Sequence, residues 1–283
     1  MRNIRLPCVA GTFYEGKAEA LKTQIEECFL HKFAHAKIPE VNTAGSRRIV
    51  GLFCPHAGYE YSGPVAANAY YELALDGKPD TVVILGPNHR GYGSPLATAS
   101  EGSWRTPLGE VEVDGAAARM IANESRIVDI DDSAHIEEHS VEVQLPFLQY
   151  LYGSGFKFVP ICFQIQDLDS SIEVGKALAK VLAGKNAVVI ASSDMTHYEP
   201  QKDAAAKDST ALKAVKAMDE KKFYSVIAKH DITACGYGPI TSVIVAAKGL
   251  GAKEADLLCY RTSGEITGDY SSVVGYAAVS FRK

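Results

Sequence analysis

Ile49-Val50-Gly51-Leu52-Phe53-Cys54-Pro55-His56-Ala57-Gly58-Tyr59 is an apolar run that stops at a glycine-flanked histidine. Six residues bounded by turn signals suit a strand covered on both faces better than a buried helix. The same design recurs twice. Val82-Val83-Ile84-Leu85-Gly86 leads into Pro87-Asn88-His89-Arg90-Gly91, and Ala187-Val188-Val189-Ile190-Ala191-Ser192 leads into Ser193-Asp194-Met195-Thr196-His197. Ligands of α/β sheets bind outside the carboxyl ends of the strands. Imidazoles and a carboxylate gathered there predict a metal site built from segments far apart in sequence.

Working outward, apolar spacing predicts helices over residues 18–35, 64–71, 116–123, 141–151, 204–218 and 239–249. Pro64 and Pro146 are tolerable in a first turn, where a missing N–H leaves no bond unmade. Residues 156–162 read as a further strand, residues 96–114 as β structure with turns, and residues 257–262 and 272–281 as a pair of alternating strands. Strands alternating with helices predict an α/β fold with a mainly parallel central sheet and helices on both faces. No boundary, repeat or low-complexity stretch divides residues 1–283, so a single domain is expected.

Composition narrows the function. A net charge of −5 and a pI near 5.9 argue against a general nucleic-acid binder, which is usually basic. No apolar run approaches the roughly 20 residues of a membrane span. The opening MRNIRLPCVAGTFY has no apolar core followed by a small-residue cleavage site. The six cysteines, at 8, 28, 54, 162, 235 and 259, form no CxxC pair. That pattern fits a reduced cytoplasmic protein and not a disulfide framework or zinc ribbon.

His56 and His89 are the first candidates for metal ligation. Asp194 and His197, three residues apart, can share one side of a turn, the Asp ligating or orienting a histidine; the alternative is a helix cap by Ser192, Ser193 or Asp194. Cys235 lies in Thr233-Ala234-Cys235-Gly236-Tyr237-Gly238-Pro239, ahead of an apolar helix whose N-terminus would lower a thiol pKa. A thiolate with two imidazoles suits iron, copper or zinc, whereas a small buried hydrophobe is the plainer role. His135-Ile136-Glu137-Glu138-His139 matches the H-x-x-E-H pattern of inverted zinc proteases, although the residues before it look like loop. His139 and Glu142 are candidate site-lining groups in their own right. Tyr59, Tyr61, Tyr198 and Tyr237 flank these segments as an aromatic wall or as core. The glycine-rich GPNHRGYG lacks both a P-loop ending and GxGxxG spacing, so nucleotide binding has no support.

Taken together, LPCVAGTFY, PHAGYEYSG, ILGPNHRG, EEHSVEVQLPFL, SSDMTHY and ACGYGP resemble the Memo family, also called the AmmeMemoRadiSam system protein B family. The pieces run in family order from about residue 6 to 240, and the C-terminal strands fit as well. The resemblance implies a single α/β domain similar to class III non-haem iron extradiol dioxygenases. It places His56, His89, Asp194, His197 and Cys235 in one pocket, with His139 nearby. The dioxygenase site uses two His and a Glu, whereas here Cys235 or Asp194 would be the third ligand, so ring cleavage is not inherited from the fold. The expectation is a redox metal, iron first and copper second, on His56, His89 and Cys235. Asp194, His197 and His139 would be the acid–base groups acting on a small organic substrate with oxygen. The family name implies association with radical SAM and AMMECR1-type proteins. Two other readings differ in class: a zinc hydrolase at the same residues, and a metal-independent adaptor whose tyrosines, Arg90, Arg105 and Trp104 bind a peptide or protein.

Overall fold

In the computed structural model, which describes residues 3–44 and 46–283, Ile49–Cys54 is a strand with all six residues buried. In chain order the strands are β1 Ile4–Arg5, β2 Ile49–Cys54, β3 Thr81–Pro87, β4 Leu96–Thr98, β5 Ser103–Thr106, β6 Gly109–Val113, β7 Asp129–Ile130, β8 Lys157–Phe163, β9 Ala187–Ser192, β10 His197–Glu199, β11 Glu254–Thr262 and β12 Val273–Arg282. The helices are α1 Ala18–Leu30, α2 Tyr59–Asp76, α3 Gly115–Ser125, α4 Leu145–Tyr152, α5 Leu168–Leu182, α6 Gln201–Lys216, α7 Glu220–Lys229, α8 Tyr237–Gly249 and α9 Gly264–Thr267. The middle of the sheet, β8-β3-β9-β2, is parallel. Antiparallel β12 extends it beyond β2, and β6 with antiparallel β5 extends the other side. The result is a single-domain α/β fold on a mixed sheet, consistent with the dioxygenase-like architecture the resemblance implies.

The period of two along each strand sets the layers. Val83, Leu85, Val189 and Ala191 join the core beneath α5 and α8, with Val174, Leu178, Val243 and Ile244. Their neighbours Val82, Ile84, Val188 and Ile190 join the core on the other face, with Ile25, Phe29, Tyr70 and Phe147 from α1, α2 and α4. Continuous apolar strands are what a sheet covered on both sides requires. Parallel strands all point their carboxyl ends the same way, so the loops carrying His56, His89 and Asp194 come together at one end.

Several expected elements shift. α1 stops at Leu30, five residues early, because His31 turns extended and its ring nitrogen takes the Phe33 N–H at 3.2 Å. The helix expected over 204–218 is α6, and it ends where Met218 adopts a left-handed backbone (φ 49°), with a further helix, α7, directly after. α5 was not anticipated. The paired C-terminal strands are present, running antiparallel over Glu254–Thr262 and Val273–Arg282. Among the described residues no helix is long and apolar enough to cross a membrane.

Glu142 does not line the site. Its fully buried carboxylate pairs with Arg5 and accepts from the Cys8 N–H (2.9 Å), the Val9 N–H (3.1 Å) and the Tyr14 hydroxyl (2.6 Å). One side chain thereby fastens residues 5–14 to the body of the fold. Asp208 plays a similar part under the SSDMTH loop. It accepts from the Thr196 N–H at 3.1 Å and hydroxyl at 2.6 Å, and from the Tyr260 hydroxyl at 2.8 Å. A Cβ on Gly275 would fall 2.0 Å from Asp208 Oδ2, which these bonds hold in place. Gly275→Ala is therefore expected to destabilise the protein by about 1–3 kcal/mol, the usual cost of overpacking, read as a lower midpoint of denaturant unfolding.

Candidate metal centre

Each imidazole in the cleft is delivered by a different segment. His56 follows β2, His89 follows β3, and His139 precedes the turn that leads into α4. Their ligand atoms all lie within 4.8 Å of one another. The His56 ring is 5.3 Å from that of His89 and 5.4 Å from that of His139, and His89 and His139 stack at 4.6 Å. Cys235, in the loop before α8, places its Sγ 3.3 Å from His56 Nε2. Three nitrogens and a sulfur thus face a single cavity of about 520 Å³, with Phe13, Tyr198, Val274 and Tyr276 among its walls.

Asp194 and His197 line the same cavity. Asp194 Oδ1 accepts the His56 backbone N–H at 2.9 Å, and the Asp194 N–H points to Cys235 Sγ at 3.2 Å. The residue therefore ties the His56 loop to the Cys235 loop. His197 is held by Thr233, which accepts from its backbone N–H through Oγ1 (2.7 Å) and faces its ring Nδ1 with the carbonyl (2.9 Å). All six candidate residues come together.

Electrostatics favours neutral ligands. Burial, reinforced by the neighbouring His139 and His89, holds His56 well below the usual histidine value. Burial likewise lowers His139 to about 4. Both are unprotonated near neutral pH, as metal ligation requires. Burial raises the Asp194 carboxyl above its ordinary value. The Cys235 thiol is also pushed up, by burial and then by the charge of Asp194. This corrects the expectation that the following helix would lower it: the helix N-terminus is outweighed, and the resting group is a thiol.

Other expectations are not realised. His135 ends a short 3₁₀ turn, Asp132–His135, and packs on Trp104 with ring centroids 5.6 Å apart, away from the cleft. The residues between it and His139 are not helical, so the two histidines share no helical face and the inverted-protease arrangement is absent. Trp104 is 3 % exposed and lies beneath the Arg5 guanidinium, 4.3 Å from its ring centroid, outside the imidazole cleft. Tyr59 is core, its hydroxyl donating to the Val143 carbonyl, whereas Tyr198 stands open at the cavity.

Glu138, which the sequence offered only within the H-x-x-E-H pattern, holds two of the imidazoles. Glu138 receives the His89 N–H at 2.6 Å and faces His89 Nδ1 at 2.9 Å and His139 Nδ1 at 3.4 Å. Burial opposes its charge, but the His89 hydrogen bond and the two nearby imidazoles win and hold it at about 2. A carboxylate behind a ligand histidine is the usual support of a metal site. Its position directly before His139 was the available signal.

A family model described as "Memo-like protein" matches residues 5–280. A MEMO1 family protein of Methanopyrus kandleri is 49% identical over 281 residues, covering 99% of both chains. One from Sulfurisphaera tokodaii is 49% identical over 282 residues, covering 98% of this chain and 99% of the relative. Among solved structures, the uncharacterized protein JW3007 from Escherichia coli K12 matches with a TM-score of 0.57 at 15% identity, over 81% of this chain and 99% of that one. At that identity the likeness concerns the fold alone.

Proposed function

The chain belongs to the Memo family, and from that premise we propose that it holds one redox-active metal ion, iron first and copper second, in the imidazole cleft. The carrying observation is the convergence of His56, His89 and His139 within 4.8 Å, with Cys235 Sγ 3.3 Å from His56 Nε2. The donor set fits such an ion: imidazoles with a soft sulfur suit iron, copper or zinc and disfavour magnesium or calcium. His56, His89 and Cys235 are the ligands in this reading. The ion, when bound, would supply a site for oxygen and for electron transfer from a small organic molecule.

The chain's own residues do the rest. Asp194 holds the His56 and Cys235 loops in register. His197, with Nδ1 turned to the Thr233 carbonyl, keeps Nε2 as the atom able to take a substrate proton, and His139 offers a second base. Phe13, Tyr198 and Tyr276 form the walls against which an organic substrate would lie.

A zinc hydrolase is the second reading, favoured by the three-imidazole group, since catalytic zinc commonly takes three protein ligands and a water. The test is metal content and affinity after anaerobic preparation, followed by oxygen uptake. One iron or copper ion per chain, lost in His56→Ala, is the expected result. Tight zinc with no oxygen consumption would move the assignment to hydrolysis. Absence of any metal after anaerobic reconstitution would overturn both readings.

A further inference from the structure

Whether an imidazole offers the cleft a lone pair or a proton is decided by the partner of its other ring nitrogen. For His89 and His197 that partner is an obligate acceptor, the Glu138 carboxylate and the Thr233 carbonyl, so Nδ1 carries a hydrogen and the neutral ring has its lone pair on Nε2. For His56 the partner is Ser192 Oγ at 3.0 Å, and a hydroxyl can donate or accept. The choice is made two hydrogen bonds away.

The Pro55 carbonyl lies 2.9 Å from one end of the Gln144 amide, which must therefore be the NH₂ end. That nitrogen gives its second hydrogen to Ser192 Oγ at 2.7 Å, while the Tyr70 hydroxyl donates to Gln144 Oε1 at 2.6 Å. Ser192 has one proton and faces the Ser140 carbonyl at 2.6 Å, which only accepts. The serine proton is committed there. Only a lone pair remains for His56 Nδ1, which must then be the N–H. His56, Ser192, Gln144 and Ser140 are all at most 2 % exposed, so bulk water cannot substitute for any member.

We propose that Ser192, oriented by Gln144, is a positioning residue that locks His56 in the Nδ1–H tautomer and turns its Nε2 lone pair into the cleft. The Cys235 thiol, 3.3 Å away, then donates its S–H to that lone pair. All the strand-end imidazoles reach the cleft in one protonation pattern before any ion arrives. The purpose assigned to this lock rests on the metal-holding reading, but the lock itself is a property of the metal-free chain.

Two-bond ¹H–¹⁵N spectra of the metal-free protein distinguish the tautomers directly. His56 is expected as Nδ1–H in the wild type. Ser192→Ala removes the hydroxyl acceptor and leaves the ring only the Ser192 backbone, so the Nε2–H form, which histidine prefers in water, should gain population; ferrous-ion affinity should fall about 10- to 100-fold. Gln144→Met frees the serine hydroxyl to rotate and should give a mixture of tautomers, which serves if Ser192→Ala does not fold. A wild-type His56 protonated at Nε2, or Nδ1–H retained in both variants, overturns the proposal. A wild type that binds no iron would remove the function proposed above, and the nitrogen spectra would still decide this inference.

Discussion

Glu142→Ala should be among the most destabilising single changes in this protein, costing about 3–5 kcal/mol, because it leaves the Arg5 guanidinium buried without its counter-charge. At roughly 2–4 °C per kcal/mol for a chain of this size, the thermal midpoint should fall by about 10 °C. The same carboxylate gives a pH signature. Burial alone would raise its pKa, but the Arg5 charge and the hydrogen bonds from Cys8 and Tyr14 hold it below the ordinary value. Its stabilisation is therefore complete above the pKa of an unfolded glutamate and is lost as pH falls through the folded value. Glu142→Gln should flatten this acid limb of the stability curve. Equal wild-type and Glu142→Gln slopes in denaturant titrations at several acidic pH values would show that the pairing contributes nothing.

Weakened metal binding is the second large effect expected if the proposed centre is right. His56→Ala and His89→Ala should each weaken ferrous-ion binding on the order of 10³-fold, given ~10–16 kcal/mol for a site of four ligands. Cys235→Ala should match them, whereas His139→Ala should stay within about tenfold. Because burial and Asp194 keep Cys235 a thiol, its ligation must release a proton. Affinity should accordingly rise with pH in the neutral range, where His56 and His139 are already deprotonated and add no slope. Calorimetry in buffers of different ionisation enthalpy counts that proton. No release, with His139→Ala as the severe variant, would put His139 in place of Cys235 among the ligands.

How much of this was readable in the residues depends on range. Ile49–Cys54 was bounded to the residue, since a short apolar run stopped by Pro55 admits little else. His56, His89, Asp194, His197 and Cys235 were legible because each stands where an apolar element meets a glycine- or serine-rich loop. Their supports were not. Glu138 lies 49 positions from His89, and Ser192 lies 136 from His56, so no local pattern joins them. Glu142 looked like a site residue because it stands with His139 at the start of the next expected helix. Only the arrival of Arg5, Cys8 and Tyr14 from the start of the chain turns it inward. Cys235 does line the cleft, but its ionisation was misjudged, because a nearby helix terminus is visible in sequence and desolvation is not.

The strand bearing His56 has both of its neighbours downstream: β2 pairs with β9 on one side and with β12 on the other. During synthesis this wholly apolar ribbon leaves the ribosome with two open edges. The first is closed by residues 187–192 and the second by residues 273–282. Fragments ending before β12 keep an adhesive edge at the heart of the molecule, of the kind that templates intermolecular pairing.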